Sequence, residues 1–198
     1  MTNQTRVPAV QVTGLYGTVV KTVARRKLGL VPDSLGVLWQ HRPVMMDMMK
    51  FGGRTEKWDE LDKSLSVLAT MAAAATVGCS FCLDLHYFMA HDQGLDEEKA
   101  REVPIWRESA RFTSLERLVM EYAEAMSQTP PAVTDELSDA LRAEIGVPAL
   151  IELAAKVGYL NATARSNIAL GIHSDGFADA CGLAPLATPA ATGVASRA

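Results

Sequence analysis

"LDKSLSVLATMAAAATVGCSFCLDLH", residues 61–86, decides how the chain folds. Leu61, Leu65, Leu68 and Ala72 recur every three or four residues, so they fall on one face of a helix. Gly78 is the residue type that ends such a helix, because it takes the left-handed conformation without a side-chain clash. The helix therefore delivers the chain to Cys79, Cys82 and His86. The alternation that marks a strand is missing here.

Downstream the same helical period continues. Gly94 stops the helix that carries the cysteines, and Asp96 is placed to cap a short one through "EEKAREV". Thr113 and Glu116 have the spacing of a capping box, opening a helix with Leu115, Leu118, Val119, Tyr122 and Met126 as its buried stripe. Pro130 and Pro131 close that helix. Thr134 caps a segment running to Gly146, and Pro148 sits in the first turn of a long final helix. The prediction is an all-α bundle. The stretches 61–86 and 148–173 are both long, apolar and followed by a histidine, which suggests an internal two-fold helical repeat.

The domain expected from this pattern spans residues 13–183, between flexible tails at 1–12 and 184–198 that lack helical period. With 48% hydrophobic residues, 21% charged and a formal net charge of −4, the chain has no basic field to attract nucleic acid. The basic run "ARRKLG" at 24–29 reads as a solvated helix end. No window is apolar enough for a membrane span, and "MTNQTRVPAVQV" does not read as a secretory signal, so cytoplasmic placement is expected. Met45, Met46, Met48 and Met49 read as core or interface filler.

At roughly 100° per residue, Cys82 lies about 60° from Cys79 around a helix and His86 falls between them, so all three share one stripe. A Cys-x-x-Cys turn at a helix start lets two sulfurs close a disulfide without large backbone movement. Unpaired amides at the helix start favour a thiolate at Cys79, whereas a nearby imidazole favours one at Cys82, and the order stays open on these grounds. A zinc site that added His91 fails, because on a continuous helix His91 points about 180° away from Cys82. Inert packing of the thiols is the competing reading. Cys181, far from any partner in sequence, is expected to be structural.

These residues, with "GLDEEKAREV", "SLERLVMEYAEAM", "ELSDALRAEIG" and "IELAAKVGYLNATARSNIALGI", resemble the carboxymuconolactone decarboxylase superfamily, and within it the alkyl hydroperoxidase D (AhpD)-like branch. The resemblance covers roughly residues 30 to 175 and implies an AhpD-like helical bundle assembled as a homo-oligomer, either a trimer or hexamer or an assembly built from dimers. It also implies that Cys82 attacks a hydroperoxide, that Cys79 resolves the product as a disulfide, and that His86 serves the proton relay. One departure stands out: where the family's relay has a glutamate, twelve residues before the first cysteine, this chain has Val67, with Ala72 and Val77 at two further usually polar positions. Glu152, Asp84 and Glu121 are the candidates to replace that carboxylate, while Asn161 and Arg165 are assigned to packing or assembly.

The expected activity is thiol-dependent reduction of a hydroperoxide or disulfide substrate, an antioxidant peroxidase cycle, with an external dithiol donor, either a protein or a dihydrolipoyl group. It requires no metal, flavin or haem. Two alternatives remain in view: a carboxymuconolactone decarboxylase-type lyase, in which the dithiol has no role, and a non-catalytic redox-sensing oligomer.

Overall fold

The structure is a computed structural model that describes residues 5–188. Its helices are α1 (Gly14–Leu28), α2 (Asp33–Leu38), α3 (Arg42–Thr55), α4 (Lys63–Val77), α5 (Ser80–Asp92), α6 (Glu97–Arg101), α7 (Ser114–Ser127), α8 (Asp135–Leu170) and α9 (Phe177–Ala180). Short 3-10 turns link α2 to α3 and follow α6, and no strand occurs among the described residues. The expected all-α class is what the chain adopts.

α4 is the hub. The Asp62 carboxylate accepts the amides of Ser64 at 2.8 Å and Leu65 at 3.3 Å, starting the helix, and every residue from Val67 to Ala74 is buried. Alanines at 72 to 74 keep its surface thin, so α5, α7 and α8 all pack against it closely. Packed on that hub, Leu141, Leu153 and Val157 of α8 and Val119, Met120 and Ala123 of α7 complete one apolar core. A second, smaller cluster of Val12, Val20, Leu35, Trp39 and Met45 joins α1, α2 and α3.

The expected caps are present: Asp96 on α6, the Thr113–Glu116 capping box on α7, and Thr134 on α8. Within α8, Gly146 is non-helical at φ 77° and ψ 168°, so two helical segments meet there, with Pro148 opening the second. The basic side chains of Arg25, Arg26 and Lys27 stand exposed at the carbonyl end of α1, where the helix dipole favours them. The internal repeat is not confirmed. Residues 61–86 form a helix, a tight turn and a second helix, whereas 148–173 form one helix followed only by the four-residue α9.

Parts of the segments expected as tails bond to the helical domain. The Arg6 amide donates to Leu170 O at 3.0 Å and its guanidinium to Ala169 O at 3.0 Å, so this segment covers the free carbonyls that end α8. Val10 N bonds Gly36 O at 3.2 Å, and Val12 is buried. At the other end Tyr87 donates its hydroxyl to Ala184 O at 2.9 Å, and Ala187 N donates to Arg101 O at 2.9 Å. Residues 1–4 and 189–198 lie outside the described residues.

α4 ends at Gly78, whose φ of 79° and ψ of 27° let its amide close on Ala74 O. Gly78→Ala should lower stability by roughly 1–2 kcal/mol through left-handed backbone strain, whereas Gly53→Ala, at an exposed site inside α3 with nothing near the new methyl, should raise it by about 0.5–1 kcal/mol. Urea unfolding of both variants measures the opposite signs.

Candidate redox site

The turn at Gly78 leaves Cys79 extended, at φ −86° and ψ 96°, as the N-cap of α5. Its Sγ faces inward over the first turn and accepts the Cys82 amide at 3.2 Å. Cys79 and Cys82 are joined as a disulfide with Cα atoms 5.3 Å apart, inside the range that such bonds span. Both are buried, at 1% and 4% exposure. The sequence-predicted pair is therefore brought together, on the helix end where amides favour sulfur anions.

His86 lies one turn further along α5 and is half-buried. Its Nδ1 is 3.4 Å from Thr70 Oγ1 on α4. The Thr70 hydroxyl has a single proton, directed at the carbonyls of Ser66 and Val67, each 3.0 Å away. The hydroxyl oxygen thus receives the Nδ1 proton, and the lone pair of the ring is on Nε2. Burial pushes the imidazole down to about 4, so it is neutral at pH 7 and able to act as a base.

His86, Val67 and Thr70 line a cavity of about 310 Å³, together with the apolar Trp58, Met89 and Leu160 and the polar Lys156 and Tyr159. Cys79 and Cys82 are not among the residues that line it. The cavity reaches the imidazole and stops short of the sulfurs.

None of the three candidate carboxylates takes the place vacated at Val67. Glu152 is buried but accepts the amides of Glu60 at 2.9 Å and Leu61 at 3.3 Å, and pairs with Lys156 at 2.9 Å. Burial raises its pKa, yet Lys156 and the two amides outweigh that and hold the carboxyl below its ordinary range. Asp84 accepts Ser174 Oγ at 2.6 Å and the amides of Phe177 at 2.9 Å and Ala178 at 3.0 Å, which makes it the anchor of α9. Glu121 is exposed. His86 is oriented instead by a hydroxyl, Thr70.

Asn161 donates to Ser127 Oγ at 2.9 Å and Arg165 to Ser127 O at 3.0 Å, tying α8 to the end of α7 as packing residues. His91 is exposed near the end of the unbroken α5, away from the sulfurs. Cys181, expected to be structural, is instead an exposed free thiol after α9. One residue of the site was missed: Asn167 on α8, buried, with Nδ2 3.5 Å from Cys82 Sγ. Its signal was present in the spacing, since Leu153, Val157, Leu160, Ala164 and Asn167 form one buried stripe in which the amide is the only polar member.

The sequence profile of the Carboxymuconolactone decarboxylase family matches residues 43–125, the segment that carries both cysteines and His86. Among curated proteins, YnjA of Escherichia coli (strain K12) is 37% identical over 140 residues, covering 70% of this chain and 77% of YnjA. Among solved structures, the alkylhydroperoxidase AhpD core protein of Ralstonia eutropha JMP134, called peroxidase-related, is similar with a TM-score of 0.76 at 17% identity, over 87% of this chain and 94% of that one. The debrominase Bmp8 in complex with 2,3,4-tribromopyrrole is similar with a TM-score of 0.77 at 17% identity, over 89% of this chain and 95% of that one. With its AhpD-like all-helical fold and this match in sequence, the chain belongs to the carboxymuconolactone decarboxylase family.

Proposed function

We propose that the protein reduces organic hydroperoxides through a dithiol–disulfide cycle at Cys79 and Cys82. The observation that carries this reading is the pairing of two bonded sulfurs at a helix start with a neutral imidazole that opens onto a cavity of about 310 Å³. The Cys82 thiolate attacks the outer oxygen of the hydroperoxide, the O–O bond breaks, and the inner oxygen leaves with the electron pair as an alkoxide. His86 takes the thiol proton and passes it to that alkoxide, giving the alcohol. Cys79 then displaces water from the Cys82 sulfenic acid and forms the disulfide. An external dithiol restores both thiols by exchange and leaves as its own disulfide.

A cavity of that size, walled by Trp58, Met89 and Leu160, suits an organic body better than hydrogen peroxide. Because the sulfurs are buried at rest and do not line the cavity, hydroperoxide and reductant alike reach them only after local opening. Work in the cytoplasm, where dithiol donors are kept reduced, belongs to this reading. Self-association does too, covering the exposed stripe of Leu15, Val19 and Val23 on α1. A second reading draws on the likeness to a debrominase: the same dithiol supplies two electrons, so that a bromoarene and two thiols become the arene, bromide, a proton and the disulfide. Bromide release from 2,3,4-tribromopyrrole tests it.

Hydroperoxide consumption with a dithiol donor is expected to vanish in Cys82→Ser. In Cys79→Ser the first step survives and a sulfenic acid accumulates at Cys82, seen as a dimedone adduct by mass spectrometry. Two thiols lost without turnover would make the protein a sensor rather than an enzyme, and consumption that persists in Cys82→Ser would overturn the proposed attack.

His86 also predicts a pH dependence of stability. Its pKa is lowered from 6.5 to about 4 on folding, so between those values the unfolded chain binds the additional proton. Stability from this group is complete above pH 6.5 and is lost as the pH falls towards 4. Urea midpoints should therefore drop more between pH 7 and pH 5 (both about) for the native chain than for His86→Leu.

A further inference from the structure

We infer that Asn167 is a catalytic residue of this dithiol centre, its amide N–H stabilising the Cys82 thiolate and thereby setting Cys82 rather than Cys79 as the more acidic of the reduced pair. The inference rests on the redox reading of the two cysteines. It does not depend on which substrate is reduced.

An amide buried in an apolar stripe is unfavourable unless it is hydrogen-bonded. On that stripe of α8 the Asn167 side chain has Cys82 Sγ as its partner, at 3.5 Å. A thiolate accepts a hydrogen bond far better than a thiol or a disulfide sulfur, so this contact strengthens when the negative charge forms. Cys79 Sγ is served by a donor of a different kind, the backbone amide of Cys82 at 3.2 Å. Each sulfur thus has one N–H, and the balance is tipped by what surrounds them. Cys82 alone has the half-buried imidazole of His86 one turn away. The charged group nearby on α5, Asp84, spends its oxygens on Ser174, Phe177 and Ala178. From α4 the buried face contributes only apolar side chains and Thr70. The Asn167 donor is therefore a neutral contact that favours charge on one particular sulfur.

The test uses the reduced full-length chain with Cys181→Ser and one further cysteine replaced, so that a single thiol is titrated by ultraviolet thiolate absorbance. With Cys82 as the remaining thiol, Asn167→Leu, which keeps the bulk and removes the donor, should raise its pKa by about one unit, an about tenfold loss of thiolate at a pH below both values. With Cys79 as the remaining thiol, the same substitution should leave the titration where it was. Asn167→Ser, whose side chain is too short to reach the sulfur, should repeat the pattern, and serves if the leucine variant fails to fold. No shift at Cys82, or equal shifts at both thiols, would overturn the assignment. A native protein that consumes no hydroperoxide while the Cys82-selective shift persists would remove the peroxidase reading and uphold this one.

Discussion

Two helices meet at one residue with its backbone in the left-handed region, and the pairing of the two sulfurs follows from that turn. At Gly78 the chain reverses out of α4 within a single residue, its amide closing on Ala74 O and the next amide, that of Cys79, on the same carbonyl. The carbonyls of Ala74 and Ala75 are bonded by this turn, and α5 starts with no intervening loop. Cys79 is held outside the helix while Cys82 is held inside it, a difference that aims both sulfurs at the same point. A longer connection would close α4 equally well, but it would not fix the two side chains relative to each other.

Around that point the protein uses neutral polar groups in place of charges. Val67 stands where the family resemblance implies a carboxylate, and Thr70, one turn along the same helix, contacts His86 through a hydroxyl. A buried glutamate would hold a proton on the ring and raise its pKa, whereas the hydroxyl fixes the tautomer and leaves the ring uncharged. Glu152, the buried acid nearest in kind, is spent on holding the Glu60–Leu61 segment and on Lys156. In the proposed cycle His86 would be a weaker base than a carboxylate-backed one, and hydrogen bonds to sulfur would carry more of the task of stabilising charge.

The parts legible in the sequence were those with local causes. Helix period, Gly78, the Thr113–Glu116 box, Asp96 and Thr134 each act within a turn or two of chain, and each appears where the spacing placed it. The segments at 5–12 and 184–188 could not be read this way, because their bonds reach Leu170, Gly36, Tyr87 and Arg101, far along the chain. The same limit applied to the carboxylates: nothing around Asp84 in sequence says that α9 will present two amides to it. Asn167 lay between these cases. Its place on a buried stripe was readable, but that Cys82 faced it required α5 and α8 to be brought together on α4.

Asp84 sits two residues beyond Cys82, and through it the sulfur-bearing helix also grips the end of the domain. Four residues are too few for a helix to persist unaided, so α9 borrows its order from α5, with Phe177 set against Phe81 and Phe88. Fraying of the first turn of α5 would slacken that grip, and release of α9 would bare the rear of the same turn to water. The terminal strap and the sulfur pair thus share one mechanical fate, and protease sensitivity near residue 177 becomes a distant gauge of how firmly the dithiol is held.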